Sequence, residues 1–187
     1  LRLVGSEMCI RDRYQKGDYK TLGQLIGDIK QQNDHLAQTQ FTENFTVNTI
    51  LQDAAYRAAQ SDIRFDVLVS VPPQLTVAES DLCELLMNML DNALEATAEV
   101  TDGKRFVRFQ IETKNGFLAV KCENSYSGKH RQDADGNYLT TKNDAETHGF
   151  GLKLMNTVAV RYHSILDIFT SEDRIFTVQT ALKLPKK

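Results

Sequence analysis

The chemistry in this chain centres on carboxamides. Asn88 and Asn92 stand one helical turn apart within the segment running from Asp81 to Thr97, and Glu84, Asp91 and Glu95 fall at steps of three and four around them. Asparagine is a mediocre helix former because its side chain competes for backbone hydrogen bonds. A face that only meets water is more readily built from Lys, Glu or Gln. Two such amides offer neutral oxygen ligands and N–H donors, which suits magnesium with phosphates. An ordinary amphipathic helix with its polar side in water fits the same spacing. A second element comes downstream, where His148, Gly149, Phe150, Gly151 and Leu152 end a long polar stretch. Backbone N–H groups at a helix start, aided by the dipole, favour phosphate, and glycine lets the backbone approach it. Alone, a Gly-x-Gly is weak evidence.

These residues need elements to hold them. Leu82, Leu85, Leu86, Met89, Leu90 and Ala93 form an apolar face opposite the amides. Thr76 with Glu79, or Ser80 alone, can cap that helix. Before it, the pattern predicts a helix over 18–40 with Tyr19, Leu22, Leu25, Ile26 and Ile29 as its stripe. A connector follows over 41–46, then a helix over 48–59 with Ile50, Leu51, Ala54, Ala55 and Ala58 inward, and a strand over 63–69 stopped by Pro72 and Pro73. After it come strands over 106–113 and 116–122 around the hairpin signal Asn115-Gly116. A polar loop over 125–148 is longer than most structureless loops. A helix over 152–162 and a hairpin over 164–184 close the chain. Hairpins dominate, so the sheet is mixed and mostly antiparallel, with the helices on one face. The class is α+β, a two-layer α/β sandwich preceded by a long helix.

The chain has 187 residues and a net charge of −3, so a nucleic-acid partner gets no support. No apolar run reaches the roughly 20 residues of a membrane helix. Cys9, Cys83 and Cys122 lack metal-ligand spacing and read as free thiols of a reducing compartment. Residues 1–13 have neither helical nor strand period and no signal-peptide core. They read as a non-native leader on a chain truncated upstream.

The run Leu85 to Ala96 with Asn88 and Asn92 resembles the N-box of the GHKL (Bergerat) ATP-binding fold, and the distant Gly149–Gly151 pair strengthens that resemblance. The fold is shared by sensor histidine kinases and by gyrase- and MutL-type ATPases. The resemblance covers residues 47–187, with 14–46 similar to the second half of a histidine-kinase dimerisation hairpin. It implies ATP and Mg²⁺ as ligands. Asn92 would ligate the metal, with Asn88 touching phosphate, metal or water; these two are the catalytic candidates. Glu95, where many kinases of the family carry a basic residue, would face metal-bound water or solvent. Asn124 would accept from the adenine amino group in a relaxed glycine box. That relaxed box is similar to those of the peptide-sensing, AgrC-like quorum-sensing kinases. Thr141 and Lys142 resemble the element before the glycine pair. With His148, Gly149, Phe150, Gly151, Leu152 and Lys153 they would form the lid and phosphate cradle.

The hydrolytic members carry a Glu one turn before the metal-binding Asn. Here Asn88 stands there, and an amide cannot take a proton near neutral pH. Phosphoryl transfer to a side chain is therefore favoured over hydrolysis. The resemblance implies a kinase passing the γ-phosphoryl group to a His on a dimerisation helix and then to a response-regulator receiver domain. It further implies a homodimer through the N-terminal helix and a cytoplasmic location under an upstream membrane sensor. His35 sits past the acceptor region, so the acceptor belongs upstream, and His130 and His163 carry no signal. Two other classes remain open. One is a non-catalytic GHKL nucleotide-binding module or an anti-sigma-type serine kinase. The other is a purely structural dimerising domain.

Overall fold

Alternation of buried and exposed residues sets the sheet. In a computed structural model, which describes residues 39–128, 131–132, 138–139 and 150–185, the order of elements is α1 (Phe45–Gln60), β1 (Arg64–Ser70), α2 (Glu79–Ala98), β2 (Phe106–Lys114), β3 (Phe117–Ser125), β4 (Arg131–Gln132), β5 (Tyr138–Leu139), α3 (Phe150–Arg161), β6 (Asp167–Thr170) and β7 (Ile175–Lys183). The main sheet has five strands in the order β1-β2-β3-β7-β6. Only β1 and β2 run parallel, and α2 supplies the crossover that a parallel pair requires; the other neighbours are antiparallel. This is the expected α+β sandwich with a mixed sheet.

One sheet face turns Val107, Phe109, Ile111, Leu118, Val120, Cys122, Val178 and Leu182 into the core. There they join Leu51 and Ala54 of α1, Leu85, Leu86 and Met89 of α2, and Met155 and Val158 of α3. Alternate positions such as Arg108, Gln110, Lys121 and Glu123 are only half-buried. Asn115 and Gly116 join β2 to β3 with φ of 51° and 79°, as a two-residue hairpin with positive φ at both centres needs.

Several boundaries differ from expectation. Helix α1 begins at Phe45 because Asn44 caps it: its Oδ1 accepts from the Val47 N–H at 3.0 Å, and its Nδ2 donates to the Pro73 carbonyl at 3.0 Å. Neither Thr76 nor Ser80 caps α2. Its N-cap is Ala78, which has no side-chain cap, and the Ala78 N–H donates instead to the Tyr162 hydroxyl at 2.9 Å. Thr76 Oγ1 is buried without a partner. Strand β3 continues to Ser125, so Asn124 belongs to the sheet. The polar stretch contains a short ladder between β4 and β5. The chain divides at Thr39/Gln40, and every element above lies in the second part. The helix expected over 18–40, the leader and His35 lie outside the described residues, apart from the helix's last two positions.

Cys83 is half-buried and Cys122 fully buried, both as free thiols. Burial first, then the neighbouring Glu123 carboxylate, pushes the Cys122 thiol up to about 12 from 9.0. Iodoacetamide at pH 8 is expected to alkylate Cys83 on the native chain and Cys122 only after unfolding, as mass spectrometry would read. Below pH 9 this group takes nothing from stability. As pH rises from 9 towards 12 the unfolded thiol ionises first, and stability falls.

Candidate functional site

Helix α2 has two polar flanks. Asp91 turns to α1, where it pairs with Arg57, which also reaches Asp53 at 3.4 Å. It therefore leaves the row in which spacing had placed it beside Asn88 and Asn92. Those two asparagines, both half-buried, face α3. A Cβ built on Gly151 would stand 3.1 Å from Asn88 Oδ1, 3.5 Å from Asn92 Nδ2 and 3.7 Å from Asn92 Oδ1. The first turn of α3 thus rests directly on the carboxamide pair, and glycine permits that approach. Asn88 Nδ2 donates to the Glu84 carbonyl one turn back at 2.6 Å, which leaves its oxygen facing Gly151. Among the described residues, the Asn92 amide has no hydrogen-bond partner.

Asn124 lies near the end of β3 on the helix-facing side and is 2% exposed. Its Nδ2 donates to the Ser125 carbonyl at 2.9 Å. The Thr97 hydroxyl, in the last turn of α2, donates to that same carbonyl at 3.0 Å, while Ser125 Oγ accepts from the Phe106 N–H at 3.1 Å. The end of β3 is thereby pinned to α2 about one turn past Asn92. Asn124 Oδ1 has no described donor, and it is not among the fully buried atoms lacking a partner. Thr97→Val is expected to remove one buried hydrogen bond, cost about 1 kcal/mol and lower the melting midpoint by roughly 2–4 °C, read by thermal circular dichroism.

The other expected site residues divide. Glu95 is exposed on α2, and Lys153 is exposed on α3. Leu152 is half-buried against the core. Phe150 begins α3. Thr141, Lys142, His148 and Gly149 lie outside the described residues.

The sheet face away from the helices carries a cluster of Arg108, Lys121 and Glu123. Burial raises the Glu123 carboxyl, but hydrogen bonds from Lys121 and Arg108 outweigh it and leave it below the usual range. Among the described residues no cluster of three or more His, Cys, Asp and Glu could hold a metal.

Three supports escaped the sequence. Arg105 donates to the Val100, Ala98 and Ser61 carbonyls at 2.8, 3.2 and 3.4 Å. It thus closes the C-terminal ends of α1 and α2, where a cation is favoured. Asp81, 4% exposed, accepts from Arg161 and, at 2.8 Å, from the Tyr162 hydroxyl. Thr97 is the third. No local pattern announces any of them, whereas Asn44 before an apolar periodic run was a readable cap signal.

With this geometry in place, the family is plain. Residues 77–183, from the approach to α2 through β7, match the model of the GHKL domain, and the chain belongs to that family. Among solved structures it is similar to the Acinetobacter baumannii histidine kinase AdeS, at 13% identity over 99% of this chain and 98% of that one, with a TM-score of 0.53. It is also similar to a histidine kinase from Burkholderia phymatum, at 15% identity over 89% and 81% with a TM-score of 0.56. A third is the mycobacterial sensor histidine kinase MprB, at 15% identity over 76% and 95% with a TM-score of 0.52. Identities this low speak to the fold. None of the curated proteins matches the chain. Among the described residues no helix is long and apolar enough to cross a membrane.

Proposed function

We propose that this chain is the ATP-binding catalytic module of a sensor histidine kinase, of the peptide-sensing, AgrC-like subclass. The observation that carries it is the seating of the Gly151 backbone on the Asn88–Asn92 pair. The residues fit a magnesium nucleotide. Gly151 leaves a cradle that a Cβ would fill, Asn92 keeps a free amide oxygen, and Asn124 keeps an open acceptor for the adenine amine. Amide oxygens alone are too few for magnesium's octahedron, so phosphate and water must complete it. Bound there, the ion would neutralise phosphate charge during transfer.

The chain's own residues divide the work. Asn92 would hold the metal, and Asn88 would meet phosphate or a metal-bound water. Gly149, Gly151, Phe150, Leu152 and Lys153 would line the triphosphate with Thr141, Lys142 and His148 in the lid, and Glu95 would reach a bound water. Since Asn88 cannot act as a base, water is not activated, and the γ-phosphoryl group goes to a His other than His35 on a dimerisation helix and on to a receiver domain. Residues 47–187 would form this module, with 14–46 belonging to a dimerisation helix. The intact receptor would be a membrane-anchored homodimer with this module in the cytoplasm.

The test is titration with a fluorescent ATP analogue with and without Mg²⁺. Saturable, Mg²⁺-dependent binding is expected, and no binding in either condition overturns the reading. Mixing the chain with a separate dimerisation hairpin that carries its His should give label on the hairpin. Binding without transfer would favour a nucleotide-binding module that docks a partner. Label on His35 of the chain alone would make it the acceptor and overturn that assignment.

A further inference from the structure

The far end of α3 is tied to the start of α2. Asp81, in the first turn of α2, accepts from Arg161 and Tyr162 at the end of α3. The Tyr162 hydroxyl in turn accepts from the Ala78 N–H, one of the donors a helix start leaves unsatisfied. Asp81 and Tyr162 are nearly buried, at 4% and 8% exposure. The other fixed point between the helices is Gly151 against Asn88 and Asn92. The two helices therefore run antiparallel. Asn88 and Asn92 lie seven and eleven residues from Asp81, and Gly151 lies eleven from Tyr162, so the two contacts are separated by about 10–16 Å of helix rise. Two contacts at opposite ends of two antiparallel helices together constrain their axial register.

We propose that Asp81 and Tyr162, with Arg161, are positioning residues for the phosphate end of the site. They hold α3 at the one axial setting that lays Gly151 on the asparagine pair. Tyr162 is the sharper member, because its ring can stay in the core when the hydroxyl goes. The apolar packing between α2 and α3 alone would tolerate a shift along the axis. The hydroxyl bonded to both Asp81 and Ala78 would not. The adenine end is held by other bonds, through Thr97 and Ser125, and does not depend on this tie.

This rests on the nucleotide reading, and the test separates the two. In the nucleotide-free chain, Tyr162→Phe should move the Gly151 backbone amide and the Asn88 and Asn92 side-chain amide resonances. Asn44→Ala, which loosens α1 instead, should leave them in place. With ligand, Tyr162→Phe should weaken Mg–ATP about tenfold while adenosine affinity stays within twofold. Asp81→Asn should follow the same split. Equal losses for both ligands, or unmoved resonances, would overturn the proposal and leave the tie a plain structural support. A wild-type chain that binds neither ligand would overturn the nucleotide reading, and the resonances alone would then decide the register.

Discussion

Asn92→Ala is expected to weaken binding of Mg²⁺ and ATP by at least about tenfold, the range in which changes at metal-supporting residues fall, and to erase the difference between titrations with and without the ion. The reason is local. The Asn92 amide lies beside Gly151 with no described partner, so its oxygen is uncommitted and the alanine leaves only Asn88 Oδ1 as a neutral oxygen on that side of the helix. Alanine is also the better helix former. The variant should therefore melt no earlier than the parent, and lost affinity cannot be laid to lost folding. Asn88→Ala should do less, since part of that amide is already engaged with the Glu84 carbonyl. An unchanged dissociation constant in Asn92→Ala would remove the metal assignment.

How much of this was legible depends on distance along the chain. Helix α2 could be read because burial imposes a 3.6-residue period on Leu82 to Ala93, and the β2–β3 turn because two adjacent positive φ angles call for Asn-Gly. Spacing could not divide the polar side of α2 between two neighbouring helices. Asp91 and Asn92 are adjacent in sequence, yet one meets Arg57 of α1 and the other Gly151 of α3. The start of α2 was misread for a related reason. Its cap is a tyrosine hydroxyl 84 residues away, and short-range capping rules see only the nearest Ser and Thr. Asn124 was found as a polar residue after a strand. That it lies inside β3, held by Thr97 through the Ser125 carbonyl, needed the packed helix.

Phe109→Ala is expected to give the largest loss of stability. Phe109 is fully buried in β2, the second strand of the sheet, and belongs to the same core as Leu85, Leu86 and Met89. Truncating a buried phenylalanine costs about 3–5 kcal/mol through lost transfer energy and the cavity left behind. That is a large share of the roughly 5–15 kcal/mol that holds a domain together, and the midpoint should fall by about 10 °C or more. Thermal melts followed by circular dichroism would read it, and a loss under about 1 kcal/mol would mean that the core closes around the gap. The effect should spread to the site, since Phe109 shares its core with the helix that carries both asparagines.

The family match begins at residue 77, after α1 and β1, yet α1 gives Val47, Leu51, Ala54 and Ala58 to the core and β1 pairs with β2 from Phe106 to Glu112. A polypeptide trimmed to the recognisable stretch would bare seven residues of β2 backbone as an open template for strand addition, next to an uncovered patch of leucines. Such chains should recruit one another into β-rich assemblies. The stretch recognisable as the family is thus smaller than the unit that covers both its own sheet edge and its own core.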